Sequence, residues 1–241
     1  MSDVPRVTDP GPTPGSMLLI DTATEVALLA LADLDGRVTA ETTWVAGYRH
    51  GEELLARLDG LLRASGLRPR DLGAIVVGTG PGAFTGLRVG LATAKGLAHG
   101  LRIPICGIST GAALLDAALP DAERGVDEAD AVLLLPAGPN DMVVVERAAH
   151  GGVSARRVTG DADLDMSGAA DLVALDLDGR VDAAALERGA RARSGLGAAL
   201  ARLGRERFAL GGDDLAMLVP EYVTLPRGVL REAGAVTIGP G

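Results

Sequence analysis

Ala74-Ile75-Val76-Val77-Gly78-Thr79-Gly80-Pro81-Gly82-Ala83-Phe84-Thr85-Gly86-Leu87-Arg88-Val89-Gly90 is the stretch that decides how this chain folds. Four apolar residues lead into a glycine-rich turn, and a helical pattern over residues 87–98 leads out of it. Such a turn between strand and helix aims several backbone N–H groups at one spot, which suits a phosphate or a close-packed neighbour. A P-loop requires Lys-Ser/Thr directly after its last glycine, whereas Gly86 is followed by Leu87-Arg88. A dinucleotide fingerprint requires an acidic residue about 20 positions further on, after a second strand, and no such strand–acid pair follows. Packing is the stronger reading. Gly86, Gly90, Ala94 and Ala98 recur every four residues and form a smooth helical stripe. Each helical glycine costs on the order of 1 kcal/mol against alanine, so the close approach of another helix accounts for them. That helix can belong to this chain or to another subunit, and the residues alone leave both open.

Upstream of this loop, residues 17–20 form an apolar run ending in the polar turn Asp21-Thr22-Ala23-Thr24. Val26–Ala32 reads as a second strand, and residues 37–45, with Thr39, Thr42 and Thr43 alternating, as a third. Short strands joined by tight turns make an antiparallel meander. Residues 52–64 change period: Leu54, Leu55, Leu58, Leu61 and Leu62 fall on one helical face that Gly66 terminates. Downstream, residues 103–105 read as a strand, and residues 110–119 as a helix closed by Pro120. The order βββαβα is not the βαβ repeat of a dinucleotide fold. It matches half of an actin-like, ribonuclease-H-like α/β domain.

The second half is less regular. Residues 121–187 hold fifteen acidic residues against five arginines. Residues 131–135 and 142–145 read as strands, and residues 171–176 as a further candidate. Residues 183–203 read as a helix with Arg188, Arg191 and Arg202 on its polar face, although Gly189, Gly195 and Gly197 argue against one unbroken element. The segment Leu218-Val219-Pro220-Glu221-Tyr222-Val223 is expected to return as an edge segment. No internal repeat period stands out.

Bulk properties narrow the function. The 241 residues carry a net charge of −9, and one lysine, Lys95, stands beside 22 arginines. An acidic chain is repelled by phosphate backbones and makes a poor stand-alone nucleic-acid binder. The single cysteine, Cys106, forms no internal disulfide, which fits a reducing compartment. Val26–Ala32, the longest uninterrupted apolar run, is too short to span a bilayer, so a cytoplasmic protein is expected. Residues 1–16, with Pro5, Pro10, Pro12 and Pro14, read as a disordered extension.

Candidate chemistry is sparse. Asp21 ends the first strand, where actin-like ATPases hold a metal-bound nucleotide phosphate. With Thr22, Gly80 and Gly82 it forms the alternative reading, a Mg-ATP site; a turn or cap role is the other reading of these residues. His50, His99 and His150 lie about fifty residues apart, so no helix presents two of them together as zinc sites usually require. No Gly-x-Ser-x-Gly elbow occurs. No catalytic residue, metal or cofactor is expected.

Four segments in order resemble the TsaB (YeaZ) family of bacterial tRNA-modification proteins. They are Leu18-Leu19-Ile20-Asp21-Thr22-Ala23-Thr24, His50-Gly51-Glu52-Glu53-Leu54-Leu55, Gly80-Pro81-Gly82-Ala83-Phe84-Thr85-Gly86-Leu87-Arg88-Val89-Gly90, and Gly107-Ile108-Ser109-Thr110. The resemblance covers residues 17–119. It implies an actin-like ATPase (ASKHA, ribonuclease-H-like) fold with an N-terminal domain over residues 17–120, a reduced, divergent second domain over 121–230, and a flexible tail over 231–241. It further implies a non-catalytic partner of the paralogue TsaD, which transfers threonylcarbamoyl to N6 of adenosine 37 in tRNA. The ATPase TsaE joins the same assembly, and a homodimer is an option in isolation.

In this family the two N-terminal-domain helices make the contact with TsaD. That assigns the interface here to Leu54, Leu55, Leu58, Leu62, Gly86, Arg88, Gly90 and Ala94, and tips the small-residue stripe towards an intermolecular role. Gly90→Leu is then expected to break the complex and leave the monomer folded. The chain departs from the family downstream. Leu135-Pro136-Ala137-Gly138-Pro139-Asn140-Asp141-Met142-Val143 replaces the usual Asp-Ala-Arg-x-x-Glu-Val-Tyr-like strand. The late Pro-x-Tyr-Leu-Arg motif is partly kept, as Pro220-Glu221-Tyr222-Val223-Thr224.

Overall fold

A computed structural model describes residues 6–7, 15–46, 50–118, 131–138, 140–147, 152–159 and 171–223. Three strands, β2 (Ser16–Asp21), β3 (Val26–Ala32) and β4 (Val38–Val45), form the antiparallel meander expected from their sequence. β5 (Leu72–Gly78) lies parallel to β2, and β6 (Ile105–Ile108) parallel to β5. With the two-residue β1 (Arg6–Val7) on the far edge, the sheet order is β1-β4-β3-β2-β5-β6. β1 pairs antiparallel with β4, so the extension expected to be disordered places Arg6 and Val7 on the sheet. Residues 1–5 and 8–14 of that extension lie outside the described residues, as do Pro120, His150 and the 231–241 tail.

β2 and β3 are buried along almost their whole length because both faces of the sheet are covered. Continuous apolar runs replace alternation in such strands. The period of two still sorts their side chains. Leu18, Ile20, Ile75 and Val77 join the core beneath α1 (His50–Ala64) and α2 (Phe84–Leu101), while Met17, Leu19, Ala74 and Val76 face the other way. That second core also takes in α3 (Thr110–Ala118) and α4 (Ala183–Ala209).

The second sheet contains β7 (Ala131–Pro136), β8 (Asp141–Arg147), β9 (Val153–Thr159) and β10 (Asp171–Ala174), in the order β10-β7-β8-β9. β7, β8 and β9 are antiparallel, and β10 is parallel to β7. This repeats the β5-β2-β3-β4 pattern of the first sheet, a topological duplication without a sequence period. It is the arrangement of the actin-like ATPase fold. β9 escapes a sequence reading because Ser154, Arg156 and Arg157 are exposed on this edge strand. Leu133, Leu135, Val143 and Val145 from the second sheet share one core with Leu19, Val76 and Leu114 from the first half.

α4 is one unbroken helix of 27 residues, and its glycines explain themselves. A Cβ at Gly189 would overlap the Ala174 carbonyl of β10, one at Gly195 would press on Ala117 of α3, and one at Gly204 would strike Val76 of β5. The glycines admit neighbours to a helix that the rest of the sequence holds together. The Asp182 carboxylate caps it, accepting from Ala185 N at 2.7 Å.

The segment after α4 is not an edge strand. Residues 213–223 form an irregular strap that runs beside β6 from Ile105 to Gly107 and reaches Thr79 just past the end of β5. Among the described residues, no helix is long and apolar enough to cross a membrane.

Candidate functional site

β2, β5 and β6 run parallel and end at Asp21, Gly78 and Ile108. In open α/β sheets, ligands bind outside such carboxyl ends. Here that place is occupied by the chain itself. Asp21 is completely buried; its carboxylate accepts from Thr110 Oγ1 at 2.7 Å and from Ala23 N at 2.9 Å. Thr110 Oγ1 in turn accepts from Gly80 N at 3.1 Å. Gly78 passes so close that a Cβ there would overlap the Asp21 carboxylate. Burial pushes the Asp21 carboxyl up to about 6, against the opposing pull of the Thr110 and Ala23 hydrogen bonds.

The remaining members of the alternative nucleotide set are spent on the same packing. Thr22 Oγ1 donates to Gly86 O at 2.7 Å and is buried. A Cβ at Gly82 would overlap Ala23 O, and Ala83 N donates to that carbonyl at 2.7 Å. The turn thus clamps the β2–β3 loop and engages Asp21, Thr22, Gly80 and Gly82 in contacts within the chain. Thr110 and Gly78, which complete this clamp, carry no chemical signature in the sequence; only their place in the Gly-Ile-Ser-Thr and Gly-Thr-Gly segments draws attention.

Among the described residues, no group of three or more His, Cys, Asp or Glu side chains gathers in metal-binding reach. His99 is exposed on α2. Cys106 is fully buried, and burial first, with the Asp213 charge second, pushes its thiol up to about 12 against the opposing Arg207. Native protein is therefore expected to resist iodoacetamide at pH 8 and to react only when unfolded. Stoichiometric alkylation of the folded chain would contradict this burial.

The small-residue stripe faces inward, a correction to its intermolecular reading. Gly86, Gly90, Ala94 and Ala98 are all buried in this chain, and a Cβ at Gly90 would overlap Thr22 Oγ1. Leu54, Leu58 and Leu62 are likewise core residues of the same layer. Of the eight residues assigned to the partner interface, Leu55 and Arg88 alone face solvent. Leu55 is 58% exposed, and the Arg88 guanidinium lies 4.8 Å from the Phe84 ring centroid.

A second set of small residues lies on the outer side of the same helices. Ala56, Gly60 and Ala64 on α1, and Ala92, Gly96 and Gly100 on α2, are all exposed. A Cβ at Gly60, Gly96 or Gly100 would meet nothing within 4 Å. Unlike Gly90, these glycines have no reason within the chain for their conformational cost.

A family model described as TsaD: tRNA N6-adenosine threonylcarbamoyltransferase matches residues 44–217, most of the chain. The chain belongs to the TsaD family. Escherichia coli (strain K12) tRNA threonylcarbamoyladenosine biosynthesis protein TsaB is 40% identical over 94 residues, covering 39% of this chain and 40% of that protein. The Haemophilus influenzae protein of the same description is 38% identical over 118 residues, covering 48% of this chain and 49% of the relative. The match thus spans less than half the length of these TsaB/YeaZ relatives. In structure, a crystal structure of a Pseudomonas aeruginosa protein described as similar to peptidase YEAZ superposes with a TM-score of 0.59 at 24% identity. It covers 87% of this chain and 100% of the other. That likeness establishes the fold.

Proposed function

We propose that this chain is a non-catalytic scaffold subunit in the biosynthesis of tRNA N6-threonylcarbamoyladenosine at position 37. Its partner is a TsaD-type transferase, held through the outward faces of α1 and α2. The observation that carries this reading is the pair of solvent-facing small-residue rows, Ala56-Gly60-Ala64 and Ala92-Gly96-Gly100, flanked by exposed Leu55 and Arg88. Glycines without intrachain contacts admit the backbone of a partner helix, with apolar burial as the drive. The relatives named for threonylcarbamoyladenosine biosynthesis supply the chemistry of the assembly. A paralogue of the transferase type as partner accords with the description of the family whose model matches this chain.

In this reading the catalytic step and the tRNA contacts belong to the partners, which suits a chain of net charge −9. A TsaE-type ATPase is a further member, the same face supports a homodimer when the paralogue is absent, and the assembly is cytoplasmic. The rival reading, a Mg-ATP phosphotransferase, is disfavoured by the self-filled clamp around Asp21.

The test is Gly96→Arg, alone and combined with Gly60→Arg, against a co-expressed TsaD-type paralogue. A guanidinium on an open helix surface leaves the fold intact but opposes close helix contact. At least a 100-fold loss of affinity is expected by calorimetry, about 2.7 kcal/mol, with a melting temperature unchanged or raised. Unaltered affinity of the double variant would place the interface elsewhere.

A further inference from the structure

A strand at the end of a sheet presents N–H and C=O groups on which another chain can add a strand. β6 ends the first sheet, and its residues Ile105-Cys106-Gly107-Ile108 carry no charge. On its inner side, Ile75 N donates to Pro104 O at 3.0 Å and Thr79 N to Ile108 O at 2.9 Å. The alternation of a strand then turns Ile105 O and Gly107 N outward. Asp213, the first residue of the strap, meets both. Its N–H donates to Ile105 O at 3.0 Å, and its carboxylate accepts from Gly107 N at 2.9 Å. A residue in a parallel ladder does the same with its own N–H and C=O, bonding the two residues that flank the one it faces. Asp213 therefore stands where a residue of a seventh strand would face Cys106, with a carboxylate in place of the carbonyl.

The surrounding chain keeps this substitute in place and stops it from growing into a strand. Gly211 and Gly212, at φ +108° and +75°, swing the chain from the end of α4 back towards β6. Arg207 Nε donates to the second carboxylate oxygen of Asp213 at 3.0 Å. Beyond Asp213 the chain turns away at once, with Met217 N and Leu218 N both donating to Asp214 O at 3.1 Å. Leu218 then returns to β6 and is buried in the space that a side chain at residue 107 would need; a Cβ on Gly107 would overlap it. Lys95 Nζ of α2 donates to Leu218 O at 3.1 Å.

We infer that Asp213 and Leu218 form a guard that keeps the β6 edge from pairing with β6 of a second copy of this chain. Two copies of one edge strand related by a two-fold axis are antiparallel and self-complementary, and an uncharged strand has nothing with which to repel its own copy. The guard closes the edge with a single residue and places a carboxylate on it, and charge on an edge discourages strand addition. The inference is independent of the docking role of α1 and α2.

The experiment compares Asp213→Ala with its parent by sedimentation velocity and amide exchange, in reductant so that Cys106 forms no cross-link. All chains carry Gly60→Arg/Gly96→Arg, which keeps association through α1 and α2 out of the comparison. Asp182→Ala, which removes the α4 cap, is the control for lost stability away from β6. In dilute Asp213→Ala the Gly107 amide is expected to exchange about 10-fold or more faster than in the parent. With rising concentration its weight-average mass climbs about twofold above the parent's, and the Gly107 amide becomes protected again. Asp213→Asn keeps an oxygen for Gly107 N and is expected to follow the parent, as is Asp182→Ala. An Asp213→Ala chain with the parent's mass at every concentration would overturn the inference. So would equal association of Asp182→Ala, which traces it to lost stability, or of Asp213→Asn, which retains the ladder contact.

Discussion

Gly90→Leu is expected to destabilise the isolated chain by more than about 3 kcal/mol. Its melting temperature should fall by about 6 °C or more. The side chain would be driven into Thr22, whose hydroxyl ties β2 to α2 through Gly86 O at 2.7 Å. Neither side has room to yield: Thr22 is 1% exposed, and α2 packs against β5 with Leu87, Leu91 and Ala94 buried. Gly96→Leu, six residues along the same helix, points into open space. It should leave stability unchanged or raise it by up to about 1 kcal/mol, because glycine is a poor helix former. Opposite outcomes from two glycine-to-leucine changes on one helix would separate the inner stripe from the outer row. If Gly90→Leu melts like wild type, the packing of α2 onto the β2–β3 loop is wrong. The sequence-derived expectation that this variant spares the monomer is overturned by the same contact.

The second large effect concerns Asp21. Its folded carboxyl titrates near 6 instead of the usual 3.8 because burial disfavours its charged form. Between those values the folded state binds a proton that the unfolded state lacks. Stability therefore falls as pH rises from about 4 to 6, and the penalty is constant above that window. The full displacement corresponds to about 3 kcal/mol at neutral pH. Asp21→Asn removes the charge and keeps an acceptor for Ala23 N, although Thr110 must turn its hydroxyl to accept from the new amide. That adjustment offsets part of the gain. A net stabilisation of about 1–2 kcal/mol is expected at pH 7.5, and a net destabilisation of about 1–2 kcal/mol at pH 4, where wild-type Asp21 is already neutral and only the cost of the adjustment is left. Denaturant titrations of both chains across this range provide the check. Parallel pH profiles would show that Asp21 is not desolvated as described. A buried charge held at this cost is the kind of group that functional clefts use; in this chain Asp21 is fully buried among its own neighbours.

Much of the fold can be read directly from residues. The meander, the leucine face of α1, the turn at residues 78–86 and the strand–helix pair after it follow from hydrophobic period and glycine placement, and each is local. β9 does not follow, since an edge strand bearing Arg156 and Arg157 lacks the apolar alternation that marks buried strands. The continuity of α4 does not follow either. Gly189, Gly195 and Gly204 look like interruptions until β10, α3 and β5 are seen against them.

The sequence by itself determined the actin-like βββαβα unit, the failure of the phosphate-binding motifs, and the presence of small residues in helical register on α2. Those properties depend on neighbours a few positions apart. Tertiary structure alone decided which way each small residue faces, because two stripes on one helix are equivalent in register and differ only in what surrounds them. It also decided that Asp21 is sealed and that Glu221, 142 residues from Thr79, reaches its hydroxyl. Contacts across such separations are set by how whole layers stack, and no local pattern encodes them.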